Sequence, residues 1–272
     1  MVPYRASLDV SRALAGYVSG LLAAERRRRG TRRGRRALTP FWQAVLVLRW
    51  FREDTRVARL ANDAAIGLAT AYRYLDEGIA VLAEQAPTLD EVLRQRREQG
   101  DTYVIVDGML IRTDRLTERA ETGIDRWYSG KHHAFGGNIQ FLSSADGFPL
   151  WTADVEPGHT HDLTAAREQG AIGALCAAAA AGVPTLADKA YQAAGIGIHT
   201  PIKKPQGNQV LDSDNQCYNQ LITRLRCLGE RAAALITTRW KTLQRITQSP
   251  RRIGNIVKAA LVLTQYEHQG RY

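Results

Sequence analysis

The sequence predicts an α/β domain preceded by an all-α module, and three observations carry that assignment. Before about residue 100 the apolar residues recur only at helical steps, and after it short β-branched runs alternate with helical stretches. A chain of 272 residues is long enough for one sizeable α/β domain and a small second module. Two acids, Asp107 and Asp188, each close a short apolar run that reads as a strand, while Glu230 lies inside a long helical pattern.

The expected boundaries are 1–37 for a basic N-terminal segment, 38–100 for the helical module and 101–272 for the α/β domain. The first segment carries Arg26, Arg27, Arg28 and Arg29, then a run from Gly30 to Arg36 that adds four more arginines, Arg33 among them. Like charges interleaved with glycine repel and do not pack, so the block reads as a flexible arm that tracks phosphates, or as a solvated linker.

In the module, Thr39-Pro40 is a helix start, with a capping hydroxyl followed by proline in the first turn. The core face expected of that helix includes Trp42, Val45, Leu46 and Leu48. A short helix over 55–62 buries Val57, Leu60 and Ala61, and Ile66-Gly67 then supplies a sharp reversal. The third helix buries Ala71, Leu75, Ile79 and Leu82 and shows Ala69, Thr70, Arg73 and Asp76 on its opposite face. That is a helix-turn-helix pattern, with Thr70 and Arg73 placed to enter a DNA groove; a tri-helical scaffold without DNA contact is the plainer reading.

Beyond Asp101 the expected order is a strand from Tyr103 to Val106, a polar excursion over 113–137, and strands over 138–144 and 150–155 joined by a turn with Asp146-Gly147. A helix begins near Thr160, an Ala-rich stretch runs to Ala181, a short strand precedes Asp188, another lies near 198–202, and terminal helices follow. Three antiparallel strands followed by helix-linked parallel ones match a ribonuclease H-like order. Strands one and four are then neighbours about 4.8 Å apart, which brings Asp107 and Asp188 together.

A formal net charge of +10 points to a polyanionic partner, nucleic acid before others. Cys176, Cys217 and Cys227 form no Cys-x-x-Cys pair, which points to a reducing compartment and away from structural zinc. No apolar stretch reaches a membrane-spanning length and the polar N-terminus lacks a signal-peptide core, so a soluble, cytoplasmic protein is expected. The absence of a GxxxxGK[ST] loop argues against an ATP-driven engine.

Two carboxylates from strands and one from a helix can hold divalent Mg²⁺, whose hard charge prefers a few carboxylate oxygens plus water and phosphate. Two such ions clamp the attacking and leaving oxygens of a phosphodiester displacement. Each acid also has an ordinary explanation. Asp107-Gly108 could end a strand, Asp188 could cap a helix, and Glu230 could be a solvated residue paired with Arg226 or Arg231. In Gly158-His159-Thr160-His161-Asp162, a His-x-His-Asp metal site competes with a helix cap by Thr160 or Asp162 and a cleft-lining His161. Tyr128-Ser129-Gly130-Lys131-His132-His133 offers a ring and basic groups suited to a DNA end, and Lys203, Lys204 and the stretch from Arg239 to Lys241 extend the basic character.

Taken together these motifs resemble a bacterial transposase of the IS5 group of insertion sequences, with a DDE catalytic domain. The resemblance rests on Val106-Asp107-Gly108, Tyr128 to His132, Asn138-x-Gln140, Pro157-Gly158 before His161-Asp162-Leu163, Ala187-Asp188-Lys189-x-Tyr191, and Gly229-Glu230-Arg231 ahead of Trp240. It covers almost the whole chain. It implies a ribonuclease H-like fold, Mg²⁺ dependence with Mn²⁺ as substitute, and cleavage and strand transfer at the element's terminal inverted repeats. Asp107, Asp188 and Glu230 take the three acid positions; Arg26–Arg29, Lys131, His132 and Lys189 are the expected phosphate contacts, and the active form is expected to be a homo-oligomer on DNA in the bacterial nucleoid. Ala190 stands where these enzymes often carry glycine, and no lysine occurs between Leu235 and Thr238. Two other classes remain: a DNA-binding regulator built from an inactive transposase, and a His-metal hydrolase using His159, His161 and Asp162.

Overall fold

The structure, a computed structural model, describes residues 7–32, 34–121, 123–205 and 210–268. Arg33 of the basic block lies outside them. In chain order the helices and strands are α1 (Arg12–Arg28), α2 (Pro40–Glu53), α3 (Val57–Asp63), α4 (Leu68–Ala83), α5 (Leu89–Glu98), β1 (Val104–Arg112), β2 (Tyr128–Ser129), β3 (Ala134–Ser144) and β4 (Pro149–Pro157). There follow α6 (Asp162–Glu168), α7 (Ala171–Ala180), β5 (Thr185–Leu186), β6 (Ile198–His199), α8 (Ser213–Arg239) and α9 (Ile253–Glu267). Contacts divide the chain into two units. One contains residues up to Ala86 with Thr237–Gln244 and the segment from Asn255; the other contains Pro87–Ile236 with Arg245–Gly254. The split between helical and α/β units therefore falls before α5, after Ala86, and two C-terminal pieces return to the helical unit.

In the helical unit, the basic arm expected at Arg26–Arg29 is corrected: Arg26, Arg27 and Arg28 form the last turn of α1. The helix starts at Ser11, whose hydroxyl accepts from the Leu14 N–H at 3.0 Å, and it buries Leu14, Ala15, Val18 and Leu22 at steps of three and four. Arg28, Arg29 and Arg36 are tethered to buried acids, though Arg27, Arg28 and Arg29 remain exposed. Glu25 accepts from Arg28 at 2.6 Å and also from Arg29, Arg26 donates to Gln43 at 2.7 Å, and Arg36 meets Glu77 at 2.9 Å. Cations also suit the negative end of a helix. A run of like charge in the sequence does not reveal acids that arrive from elsewhere.

Hydrogen bonds from Arg28 and then Arg29, working against burial, hold Glu25 at a pKa of about 2. A carboxylate whose folded pKa is depressed contributes stability above its unfolded value, near 4.5, and loses it as pH falls through the folded value. Acid titration should therefore weaken the helical unit between about pH 4.5 and 2, and Glu25→Gln should flatten that part of the stability curve. An unchanged acid limb in the Gln variant would show that other groups set it.

Thr39 caps α2, accepting from the Trp42 N–H at 3.3 Å with Pro40 in the first turn, as the sequence indicates. Leu46, Val47, Leu48 and Phe51 are buried, but Trp42 is 60% exposed. It sits in the first turn and lines an open groove with Val45, Leu46 and Leu60 instead of joining the core. Val57, Leu60 and Ala61 of α3 are buried, as are Ala71, Leu75, Ile79 and Leu82 of α4. The reversal between them is made by Ala65 and not Gly67. Ala65 has φ +49°, while the Ile66 N–H reaches the Ala61 carbonyl and the Ala65 N–H that of Asn62, a Schellman stop. Gly67, at φ −65°, is the extended N-cap of α4. The glycine with a packing role is Gly78: a Cβ there would lie 2.4 Å from a Val47 methyl, so α2 and α4 approach closely at that point.

In the second unit, β1 pairs antiparallel with β3 and parallel with β5; β6 runs parallel to β5, β4 pairs with the far side of β3, and β2 joins the start of β3. The 146–147 turn joins β3 to β4 as expected, with Gly147 at φ +79°. Side chains alternate along β1. Val104 and Val106 join Leu142, Leu175 and Val183 in a core that also takes in residues of α5, α6 and α7; Ile105 faces the other way, with Leu186 and Ile222 of α8. The stripe that α8 buries is Ile222, Gly229, Ala232 and Ile236, and Leu221 is 55% exposed. Gly229 lets the helix settle on β1, since a Cβ there would stand 3.0 Å from Ile105.

Candidate active site

The two strand acids meet through the register of the sheet. Ile105 pairs with Leu186, so Asp107 and Asp188 both stand two residues further along neighbouring parallel chains. Asp107 does not end its strand: β1 continues to Arg112, paired with β3 throughout. Its Oδ1 accepts the Gly108 N–H at 2.9 Å and its Oδ2 faces Arg226 of α8 at 3.3 Å. Asp188 caps a short 3-10 turn, Lys189–Tyr191, accepting the Ala190 N–H at 2.8 Å. Ala190 is not among the residues with positive φ, so this turn has no need of glycine.

Burial raises the pKa of Asp107; Arg226 and the Gly108 N–H oppose this, and the charges of Asp188 and Asp162 add to it. The charges of Asp188 and Asp162 thus reach Asp107, although burial is the larger cause.

Asp162, a candidate helix cap or metal ligand in the sequence, is buried and anchors a chain of hydrogen bonds. Its Oδ1 accepts from Asn138 at 2.8 Å and its Oδ2 from the Lys131 ammonium at 2.9 Å. Gln140 donates to Asn138 at 3.1 Å, and the Tyr191 hydroxyl donates to Gln140. Burial, with Asp162, Asp107 and Asp188 nearby, pushes Tyr191 well above an ordinary phenol, so it remains a donor. The cap of α6 is His161, whose Nδ1 accepts the Leu163 N–H at 3.3 Å, and neither Thr160 nor Asp162 fills that place. His159 Nδ1 lies 2.7 Å from the Arg126 carbonyl.

Partial burial works against the Lys131 ammonium, but the bond to Asp162 and the charges of Asp162, Asp188 and Asp107 outweigh it and raise its pKa. Burial, then Lys131, lowers His132. A cleft of about 440 Å³ is lined by Lys131, His132, His161, Asp162, Asp188 and Ala190 among others. Lys189, Lys203 and Lys204 are exposed.

Glu230 stands apart from this grouping. It is exposed on α8, one turn beyond Arg226, and among the described residues no three His, Cys, Asp or Glu side chains gather closely enough to hold a metal ion. The residue of α8 that reaches Asp107 is Arg226. Its i,i+4 spacing from Glu230 suggests a helical pair in sequence, and only the fold reveals its true partner.

In the helical unit, Thr70 and Arg73 lie near the start of α4, where Arg73 donates to the Ala69 carbonyl at 3.3 Å and to Thr70 at 3.1 Å. They line a depression with Arg29, Arg35, Arg36 and Glu77. Arg27 is exposed. No helix among the described residues is long and apolar enough to cross a membrane, and the three cysteines are free.

The model for the DDE superfamily endonuclease matches residues 106–265, more than half of the chain, and the chain belongs to that family. No curated protein and no solved structure gives a significant match.

Proposed function

We propose that this endonuclease is a DNA transposase of the IS5 group, with a ribonuclease H-like catalytic domain and an N-terminal helix-turn-helix. It binds the terminal inverted repeats of an insertion sequence, cuts a strand there and joins it to target DNA, working in the bacterial cytoplasm as a homo-oligomer on DNA. The observation that carries the reading is the register of β1 and β5, which sets Asp107 and Asp188 side by side in a chain of the DDE endonuclease family.

These residues fit Mg²⁺, or Mn²⁺ in its place. Asp107 and Asp188 each commit one oxygen to a backbone N–H; the second oxygen of Asp188 is left as a hard ligand, and that of Asp107 would exchange Arg226, at 3.3 Å, for a cation. When bound, such ions supply electrophilic stabilisation of the attacking and leaving oxygens in a phosphodiester displacement. Glu230 is the proposed third acid, on the strength of the Gly229-Glu230-Arg231 motif and its place on the helix that packs over β1. Lys131, His132 and Lys189 contact phosphate near the break, while Lys203 and Lys204 hold flanking DNA. Arg26–Arg29 add charge from the end of α1, as a fixed surface.

A second reading, a DNA-binding regulator that no longer cuts, draws on Arg226 standing at Asp107 and on the exposure of Glu230. One experiment separates the two: incubation with DNA carrying the native element's ends, with and without Mg²⁺, and mapping of the cuts. Mg²⁺-dependent nicks at the element boundary are expected; tight binding with no nick even in Mg²⁺ would leave the regulator.

Residues 1–100 carry end recognition in this reading. Arg73→Ala should cost about 1–3 kcal/mol of binding to the element's end and relax preference at one base position. Equal weakening toward random duplex would make Arg73 a phosphate contact, and no weakening toward either would remove α4 as the reading helix.

A further inference from the structure

Asp162 does more than the three-acid scheme requires of it. It is 7% exposed, lies at the first position of α6, and approaches β1 from the face opposite Asp107. The approach depends on glycine: an ideal Cβ on Gly108 would stand 2.4 Å from Asp162 Oδ1. Gln140 pairs with Gly108 across the sheet, and Asn138 lies two residues along on the same face. The chain from Tyr191 through Gln140 and Asn138 is a run of donors directed at Asp162 Oδ1, which leaves Oδ2 for Lys131. The Lys131 side chain is half exposed at the cleft and retains two N–H donors after serving Asp162.

We propose that Asp162 is the positioning residue that fixes the Lys131 ammonium in the cleft it shares with Asp188, and that Gly108 is the gap through which it does so. The proposal rests on the reading of this cleft as the DNA-cleaving site, where Lys131 meets a phosphate oxygen. Charge-assisted bonds within a fully donated network hold a flexible lysine in one place, so its remaining donors are aimed before DNA arrives. An amide at position 162 keeps an acceptor oxygen at only one of the two places, toward Asn138 or toward Lys131, and sets an NH₂ donor at the other.

The test uses the full chain with Asp162→Asn, Lys131→Ala and the double variant. Folding is checked by thermal melts, and two quantities are read: single-turnover cleavage of end-bearing DNA, and the rate of acetylation at each lysine by acetic anhydride. Asp162→Asn is expected to acetylate several-fold faster at Lys131 with Lys189 and Lys203 unchanged. Its cleavage should fall by about 10- to 100-fold with DNA affinity nearly intact, the scale of losing an orienting partner. The double variant should cut no worse than Lys131→Ala, because Asp162 acts through Lys131. If Asp162→Asn melts far below the parent, Gly108→Ala displaces the carboxylate instead and should give the same acetylation pattern. Unchanged acetylation of Lys131, or a double variant far below Lys131→Ala, would overturn the proposal. Should the parent cut no DNA at all, the transposase reading fails while acetylation still decides whether Asp162 holds Lys131.

Discussion

Asp107→Asn and Asp188→Asn are each expected to lower strand cleavage by more than about a hundredfold while leaving DNA binding nearly intact. Removing a group one shell out from a metal ligand costs about 10- to 100-fold, so the loss of a ligand itself should cost more. The amide oxygen can still accept the Gly108 or Ala190 N–H, so the local turns survive, but the anionic oxygen for Mg²⁺ is gone. Burial raises the pKa of Asp107, which means that its ionised form costs stability above that pKa. The melting temperature of Asp107→Asn should therefore not fall, which separates lost chemistry from lost fold. Glu230→Gln belongs in the same assay. A loss as deep as that of the aspartate variants supports Glu230 as the third acid, and parental cleavage would remove it. Substantial cutting by Asp107→Asn would sink the whole assignment.

What the sequence showed of this site, and what it hid, follows from the range of the interactions. The apolar run over 103–106 marks the start of β1. Its continuation through Asp107 and Gly108 breaks the apolar pattern, because those two positions serve the cleft and Asp162 instead of a core. Asn138-x-Gln140 has the period of a strand, so its two amides were bound to share a face. Their common target, Asp162, lies beyond a hairpin and could not be located that way. The helices of the N-terminal unit were legible because their signals are local: the Thr39 cap and the 71/75/79/82 stripe need only neighbours. The tethering of Arg26 and Arg36 was not, since Gln43 and Glu77 arrive from other helices, whereas Glu25, which holds Arg28 and Arg29, stands beside the block in the sequence. Arg226 shows the same limit, with a plausible helical partner four residues away and an actual one 119 positions distant.

Trp240→Ala is expected to destabilise the helical unit by about 3–5 kcal/mol, the cost of emptying a large aromatic site that cannot fully collapse. Trp240 is fully buried, edge-on to Phe51 of α2 at 6.2 Å between centroids, and its indole N–H donates to Thr264 of α9 at 2.8 Å. Truncation therefore leaves a cavity and also strips Thr264 of a donor. Beside it, Arg239 lies 5.4 Å from the indole centroid and is tied to Glu267 and Asp9 at 2.6 and 2.8 Å. These contacts explain why Thr237–Gln244 and the chain from Asn255 belong with residues 1–86. The sequence pattern had assigned them to the α/β domain, because chain order was its only guide to position. Trp240→Phe keeps most of the volume and loses only the hydrogen bond, so its cost should be nearer the roughly 1 kcal/mol of a single bond. Urea unfolding monitored by helical circular dichroism would measure both variants. A Trp240→Ala protein within about 1 kcal/mol of the parent would mean that residues 1–86 form their core without the C-terminal pieces.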